Sequence, residues 1–139
     1  MLTISQATLT LAGTLLLTVV AVQVGGYYLL SLWTRRNDRT PFQIGFARAG
    51  HAHAGVLVIL ALIAQLYVDA ASLDGLVATV ARQGIPIAAI LMPAGFFFSS
   101  MGKGRTSPNA FIVLIFLGSV ALAAGVVALG IGLLQATAG

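Results

Sequence analysis

The sequence predicts an all-α integral membrane protein, a single antiparallel four-helix bundle with short loops. Of its 139 residues, 59% are hydrophobic and only 7% are charged, whereas soluble domains carry about 25% charged residues. The mean hydropathy is +1.04. Four apolar runs, at about 8–33, 46–68, 80–101 and 109–134, each reach the roughly 20 helical residues that cross a bilayer. We therefore expect residues 1–139 to form one transmembrane domain.

The composition limits the chemistry that this chain can carry. There is no cysteine, which excludes disulfides, thiolate metal ligands and thiol catalysis. Glutamate is also absent, so Asp38, Asp69 and Asp74 are the only carboxylate side chains. The net charge of +4 indicates loops facing a negative membrane surface rather than nucleic acid. The partners that we expect are the lipid bilayer and a small apolar ligand.

The basic residues predict the orientation of the bundle. Six of the seven lie in or beside the first and third loops, 34–45 and 102–108. The positive-inside rule places these loops in the cytoplasm and both termini outside, as in a multi-pass protein of a bacterial-type inner membrane. Tyr27, Tyr28 and Trp33 would then form an aromatic belt at the cytoplasmic end of helix one.

Local signals predict where helices begin and which face of helix three is buried. The stretch TPFQ at 40–43 is typical of a capping box with proline at the first helical position. The pair SP at 107–108 predicts the start of helix four in the same way.

Pro86 and Pro93 share one face of helix three, and each leaves a carbonyl without its helical donor. That face should look into the bundle or a cavity.

Stripes of small residues mark helices one and four, and such faces allow helices to approach closely. Tight packing within one chain is the simpler interpretation, and a subunit interface is the alternative. Because four short helices bury little surface, a homo-oligomer is the assembly that we expect. The stripes consist of Thr14, Thr18, Ala21 and Gly25 in helix one, and of Gly118, Ala121, Gly125, Ala128 and Gly132 in helix four.

Both histidines lie near the start of the second span, in the stretch RAGHAHAG at 48–55. Helical residues advance by about 100° each, so His51 and His53 point to nearly opposite sides and cannot chelate one metal together. His51 shares its face with Arg48, and we expect it about 15 Å along the helix. Ionisable groups at such depth usually face a cavity or a ligand. The alternative is a hydrogen bond to a neighbouring helix that only fixes register.

These positions define a candidate site at the cytoplasmic start of helix two. His51 and His53 are the candidate acid/base groups, with Arg48 to bind a polar substituent. No metal site is predicted; if a cofactor is present, haem or a metal, His51 or His53 would be its ligand. The candidate substrate-binding residues are Ser99, Ser100, Phe97 and Tyr67.

The stretch RAGHAHAG, in a four-span chain with an Asn and an Arg in the loop before helix two, resembles bacterial hydroxylaminobenzene mutases. The resemblance implies a membrane enzyme that rearranges an aryl hydroxylamine to an aminophenol. In that family an acidic residue follows the single histidine, and none does here. The HAH triplet is also similar to small proteins related to haem–copper oxidase subunit I, although Val56, Leu57 and Val58 replace the polar residues usual there. Small membrane glutathione transferases share the four-span size.

Three functional hypotheses follow from these patterns. The first is a membrane-embedded enzyme of mutase or isomerase type, with a haem- or metal-binding redox protein as its variant. The second is a small oligomeric transporter or channel, since kinked helices with released carbonyls line paths in such proteins. The third is an accessory subunit of a larger membrane complex.

Overall fold

The computed structural model describes residues 3–34 and 38–137 of the chain. The side chain of Trp33 and the arginines at 35 and 36, which belong to the predicted belt and basic cluster, lie outside that description. The described part is all-α, without a strand, and each of its four long helices is apolar enough to cross a membrane. The chain is a small multi-pass integral membrane protein, as predicted. The helices are α1 Gln6–Thr34, α2 Pro41–Ala70, α3 Gly75–Ser99 and α4 Val113–Ala136, with a 3-10 turn at Ala110–Ile112.

The predicted capping box starts α2. The Thr40 hydroxyl accepts the backbone N–H of Gln43 at 3.2 Å, and the Gln43 side chain accepts the backbone N–H of Thr40 at 3.2 Å. Both bonds satisfy donors that have no partner within the helix. The helix therefore begins at Pro41, several residues before the apolar run itself.

The fourth span begins later than the SP pair predicts. Asn109 caps the 3-10 turn, with its side-chain oxygen accepting the backbone N–H of Phe111 at 2.9 Å. The Asn109 side-chain amide also donates to the Phe98 carbonyl at 2.9 Å, and its backbone N–H to the Ser99 carbonyl at 2.9 Å. Asn109 thus caps one helix while it satisfies carbonyls at the end of another, which a residue at 107 does not do.

The main contacts join helices that are neighbours in the chain, and one apolar core includes side chains from all four helices. α3 packs against both α2 and α4, and α1 packs against α2. α3 and α4 approach closely because glycines meet: a Cβ on Gly84 would lie 2.6 Å from the Ala121 carbonyl oxygen, and one on Gly125 would lie 3.0 Å from the Ile85 nitrogen. Packing within one chain is therefore confirmed for the glycines of the helix-four stripe, and the homo-oligomer stays a prediction.

The proline face of α3 is buried, as predicted. Pro86 and Pro93 are both buried and line a cavity between α1, α2 and α3. Pro86 has no N–H for the Arg82 carbonyl one turn before it. The side-chain amide of Gln65, from α2, donates to that carbonyl at 3.0 Å.

A polar cluster joins the first three helices near the α2–α3 turn. Arg82, the one basic residue apart from the first and third loops, lies inside α3 and pairs with the Asp69 carboxylate. Its guanidinium also donates to the Thr8 hydroxyl at 2.5 Å and to the Gln65 side-chain oxygen at 3.3 Å. The backbone N–H of Ser5 donates to the second Asp69 oxygen at 2.8 Å. Because these charges are paired and hydrogen-bonded, they can lie in a largely apolar setting.

Candidate functional site

An apolar cavity of about 410 Å³ lies between α1, α2 and α3. It forms because α1 and α3 both pack chiefly against α2. The walls of the cavity are α1 and α3, and its floor is α2. We call it the groove. The exposed side chains of Ile87 and Ile90 lie at its rim, so the groove opens towards the bilayer.

His51 lies in the groove, at the contact between α1 and α2. Its Nδ1 atom is buried and has no hydrogen-bond partner in the part of the chain that the structure describes. The ring lies against two glycines of α1: Nδ1 is 3.3 Å from where a Cβ on Gly25 would stand, and Cε1 is 3.4 Å from the corresponding position on Gly26. An unsatisfied buried polar group costs about 1–3 kcal/mol. The position of His51 therefore calls for an explanation that packing alone does not give.

Few other polar groups face the groove. Pro93 removes the N–H that would have bonded the Ala89 carbonyl, and both residues line the groove. The Thr14 hydroxyl donates to the Thr10 carbonyl at 2.9 Å, and the Thr18 hydroxyl donates within its own helix in the same way, so both keep only acceptor capacity. The groove thus offers a ligand mainly apolar surface, with a few acceptors, the side-chain amide of Gln83 and one imidazole.

His53 has a different environment. Its Nδ1 donates to the Ala49 carbonyl of its own helix at 2.7 Å, and its ring centroid lies 4.9 Å from that of Phe96. This confirms that the two histidines point to different sides of α2. His53 has the hydrogen bond that His51 lacks, which makes His51 the stronger candidate for a site.

The remaining predicted site residues divide between the groove and other surfaces. Phe97 lines the groove together with His51. Arg48 and Tyr67 are exposed and outside the groove lining. Ser99 and Ser100 are buried near the end of α3, where their hydroxyls donate to the Phe96 and Phe97 carbonyls at 3.4 and 3.0 Å. The structure therefore brings together two of the seven predicted side chains, His51 and Phe97.

A second cavity, of about 770 Å³, lies at the end of the bundle that carries Arg39, Lys103 and Arg105. We call this end the basic end and its cavity the basic cavity. The Gln43 side-chain amide holds one wall, because it donates to the Ser100 carbonyl at 2.9 Å and to the Gly102 carbonyl at 2.7 Å. Gly102 has φ 119°, a left-handed conformation that favours glycine at this turn.

The predicted helix-one stripe of Thr14, Thr18, Ala21 and Gly25 lines the groove, but the sequence analysis interpreted it only as a packing face. It missed the cavity itself and the Arg82–Asp69 cluster. The two adjacent glycines at 25–26 in an apolar span were the available signal for a close approach of another group. Which helix would supply that group was not readable from the sequence. The position of Arg82 within an apolar run was a similar signal, since a charged residue there implies a partner.

Comparison with known proteins identifies no relative of this chain. No protein-family model, curated protein or solved structure matches the chain. Within residues 3–34 and 38–137, no group of three His, Cys, Asp or Glu side chains is arranged to hold a metal ion. The fold defines the class: a small four-helix integral membrane protein with an apolar intramembrane groove.

Proposed function

We propose that this protein is a membrane-embedded enzyme acting on a small apolar or aromatic substrate in the groove, with His51 as the acid/base group. The observation that carries the proposal is the buried Nδ1 of His51, which lacks a partner beside an apolar cavity. A ligand with a hydroxyl or amino group would supply the missing hydrogen bond. Intramembrane ionisable groups with this placement usually serve a ligand or a path.

The groove favours substrates that dissolve in the bilayer. Its rim residues Ile87 and Ile90 face outward, so an apolar molecule would enter from lipid without crossing a polar barrier. Pockets of this kind bind through apolar surface and are oriented by a few polar groups. Here the orienting groups would be His51 and the Ala89 carbonyl.

Access to Nδ1 requires a small movement of α1. Gly25 and Gly26 cover the imidazole with backbone alone, and α1 packs chiefly against α2. Separation of these two helices near the glycines would expose Nδ1 to the groove. α1 is therefore the element that we expect to respond to a ligand.

The most concrete form of this activity is an isomerase that transfers a hydroxyl group within one molecule. In the rearrangement of an aryl hydroxylamine to an aminophenol, the N–O bond breaks and a C–O bond forms at a ring carbon. That carbon loses a proton and the nitrogen gains one, so substrate and product are isomers and no oxidant or reductant is consumed. One histidine suffices to accept and return a proton. The basic end would face the cytoplasm of a bacterial-type inner membrane, in agreement with the positive-inside rule.

Turnover of phenylhydroxylamine by the protein purified in mild detergent tests this proposal. Aminophenol formation would be followed by liquid chromatography for the unchanged chain, for His51→Gln and for His53→Gln as the matched control. Loss of a general acid/base costs about 10²–10⁴-fold in rate, so His51→Gln should lose at least 100-fold. His53→Gln should stay within about threefold, because His53 bonds its own helix. Equal rates for His51→Gln and the unchanged chain would contradict the proposal.

A further inference from the structure

The groove and the basic cavity lie one above the other along the same helix face. On α2, Gln43 and Ala47 line the basic cavity, and His51, Ala54 and Val58 line the groove. Spacings of three and four keep all five on one side of a helix. The two cavities are therefore successive parts of one channel between α1 and α3.

Phe97 separates the two cavities, and its side chain lines both of them. The ring packs against α2, since a Cβ on Gly50 would lie 3.0 Å from its Cε2 atom. Phe97 is only partly buried. A ligand that extends from one cavity to the other must therefore pass the Phe97 ring.

The two parts of the channel differ in chemistry. The basic cavity carries the cations of Arg39 and Lys103 and the carboxylate of Asp38, together with the Ser100 backbone and hydroxyl. The groove is lined mainly by hydrocarbon and lies deeper in the bilayer. Lys103 is exposed, on a loop between two glycines with positive φ, and a flexible ammonium suits a phosphate or carboxylate that it binds as a point charge.

We infer that the channel binds an amphiphile with one apolar chain and an anionic head group. The head would lie in the basic cavity near Lys103 and Arg39, and the chain would pass Phe97 and His51 into the groove. The inference rests on the proposed function in one respect, that the groove holds the ligand. It adds to the neutral aromatic substrates proposed above a second class of ligand, anionic amphiphiles whose head-proximal carbons lie beside His51.

Binding of dodecyl phosphate tests the inference without any need for turnover. The purified chain in neutral detergent would be titrated with dodecyl phosphate, with dodecanol and with inorganic phosphate, and bound ligand counted by native mass spectrometry. Lys103→Gln removes the head-group charge, and Lys103→Arg keeps it. Ala54→Leu fills the groove, whereas Ala52→Leu makes the same change on the exposed side of α2.

We expect one dodecyl phosphate per chain, bound about tenfold more weakly by Lys103→Gln, because this variant loses the charge-assisted bond to the head group. Lys103→Arg and Ala52→Leu should bind as the unchanged chain does, and Ala54→Leu should weaken binding by a similar factor. Dodecanol should bind at least tenfold more weakly than dodecyl phosphate.

Several results would overturn the inference. Equal affinity for dodecanol and dodecyl phosphate would mean that the basic cavity holds no head group. Inorganic phosphate could also displace dodecyl phosphate at the concentration at which dodecyl phosphate saturates the protein. That result would mean that the anion site binds phosphate equally well without a chain in the groove. Binding that persists while phenylhydroxylamine is not converted would support the ligand class and reject the isomerase, so the two failures are distinguishable.

Discussion

The side-chain amide of Gln65 donates to the backbone carbonyl of Arg82 at 3.0 Å, and this is the carbonyl that Pro86 leaves without its helical donor. Gln65 is fully buried, and its side-chain oxygen accepts from the Arg82 guanidinium at 3.3 Å. One α2 side chain thus satisfies both a backbone and a side-chain group of the same α3 residue. Gln65 therefore replaces the backbone hydrogen bond that Pro86 removes from α3.

Gln65→Leu should destabilise the bundle by about 1–3 kcal/mol, because it leaves the Arg82 carbonyl buried without a donor. Replacement of Pro86 with alanine restores an N–H for that carbonyl. Gln65→Leu should therefore cost less in a Pro86→Ala background than in the unchanged chain. Thermal unfolding in detergent, followed by circular dichroism, measures this double-mutant cycle, and Gln135→Leu at an exposed position of α4 is the control. Full additivity of the two changes would contradict the assignment.

Asp69→Asn should be among the most destabilising single changes in the chain. It leaves the Arg82 guanidinium largely buried without its counter-ion, and breaking a buried pair from one side costs about 3–5 kcal/mol. Asp74→Asn serves as the control, since Asp74 is exposed and makes no side-chain cap bond. The measurement is the same thermal unfolding. The ion pair would have no structural role if both variants unfolded at the temperature of the unchanged chain.

Gly84→Ala should separate α3 from α4. A Cβ at position 84 would lie 2.6 Å from the Ala121 carbonyl oxygen and 2.7 Å from the Gly125 Cα, and backbone atoms cannot move aside as a flexible side chain can. Overpacking of this kind costs about 1–3 kcal/mol. Gly130→Ala, where a Cβ meets nothing within 4 Å, should be neutral or slightly stabilising in a helix. Similar unfolding temperatures for the two variants would argue against the close α3–α4 contact.

Gly25→Ala should affect activity more than stability. The added methyl would stand 3.3 Å from His51 Nδ1, close enough to shift the imidazole by a few tenths of an ångström. A misplaced catalytic group lowers turnover strongly, so we expect kcat to fall about tenfold with KM little changed. Gly13→Ala on the same helix, where a Cβ meets nothing within 4 Å, is the matched control. Loss of folded protein in Gly25→Ala alone would point to a packing role for Gly25 instead.

The sequence alone predicted the four-helix membrane fold because that prediction depends on composition and run length. Helix starts were readable where a cap is local, as at Thr40, and not where it bridges two elements, as at Asn109. The opposite directions of His51 and His53 follow from helix geometry and are confirmed. The partners of each histidine depend on which helices pack beside α2. The residue pattern of α2 alone does not predict these neighbours.

The Arg82–Asp69 pair shows the same limit. Arg82 lies apart from the two basic loops, within the third predicted span, and its guanidinium pairs with Asp69 of α2. Long cationic side chains often place their charge away from their own Cα position in a membrane. The pair was therefore not predictable from linear position, although the cost of an unpaired charge there required some partner.

Ring ¹⁵N NMR of the two histidines tests the central claim, that His51 faces a ligand site, most directly. The chain contains only two histidines, so labelled histidine gives two sets of signals, with His53 as an internal control. Titration with phenol should shift the His51 ring signals and leave those of His53, bonded to Ala49, in place. Ala54→Leu should abolish the shift. The groove is not the ligand site if phenol leaves the His51 signals in place. It is also not the ligand site if phenol shifts both histidines equally, in the unchanged chain and in Ala54→Leu alike.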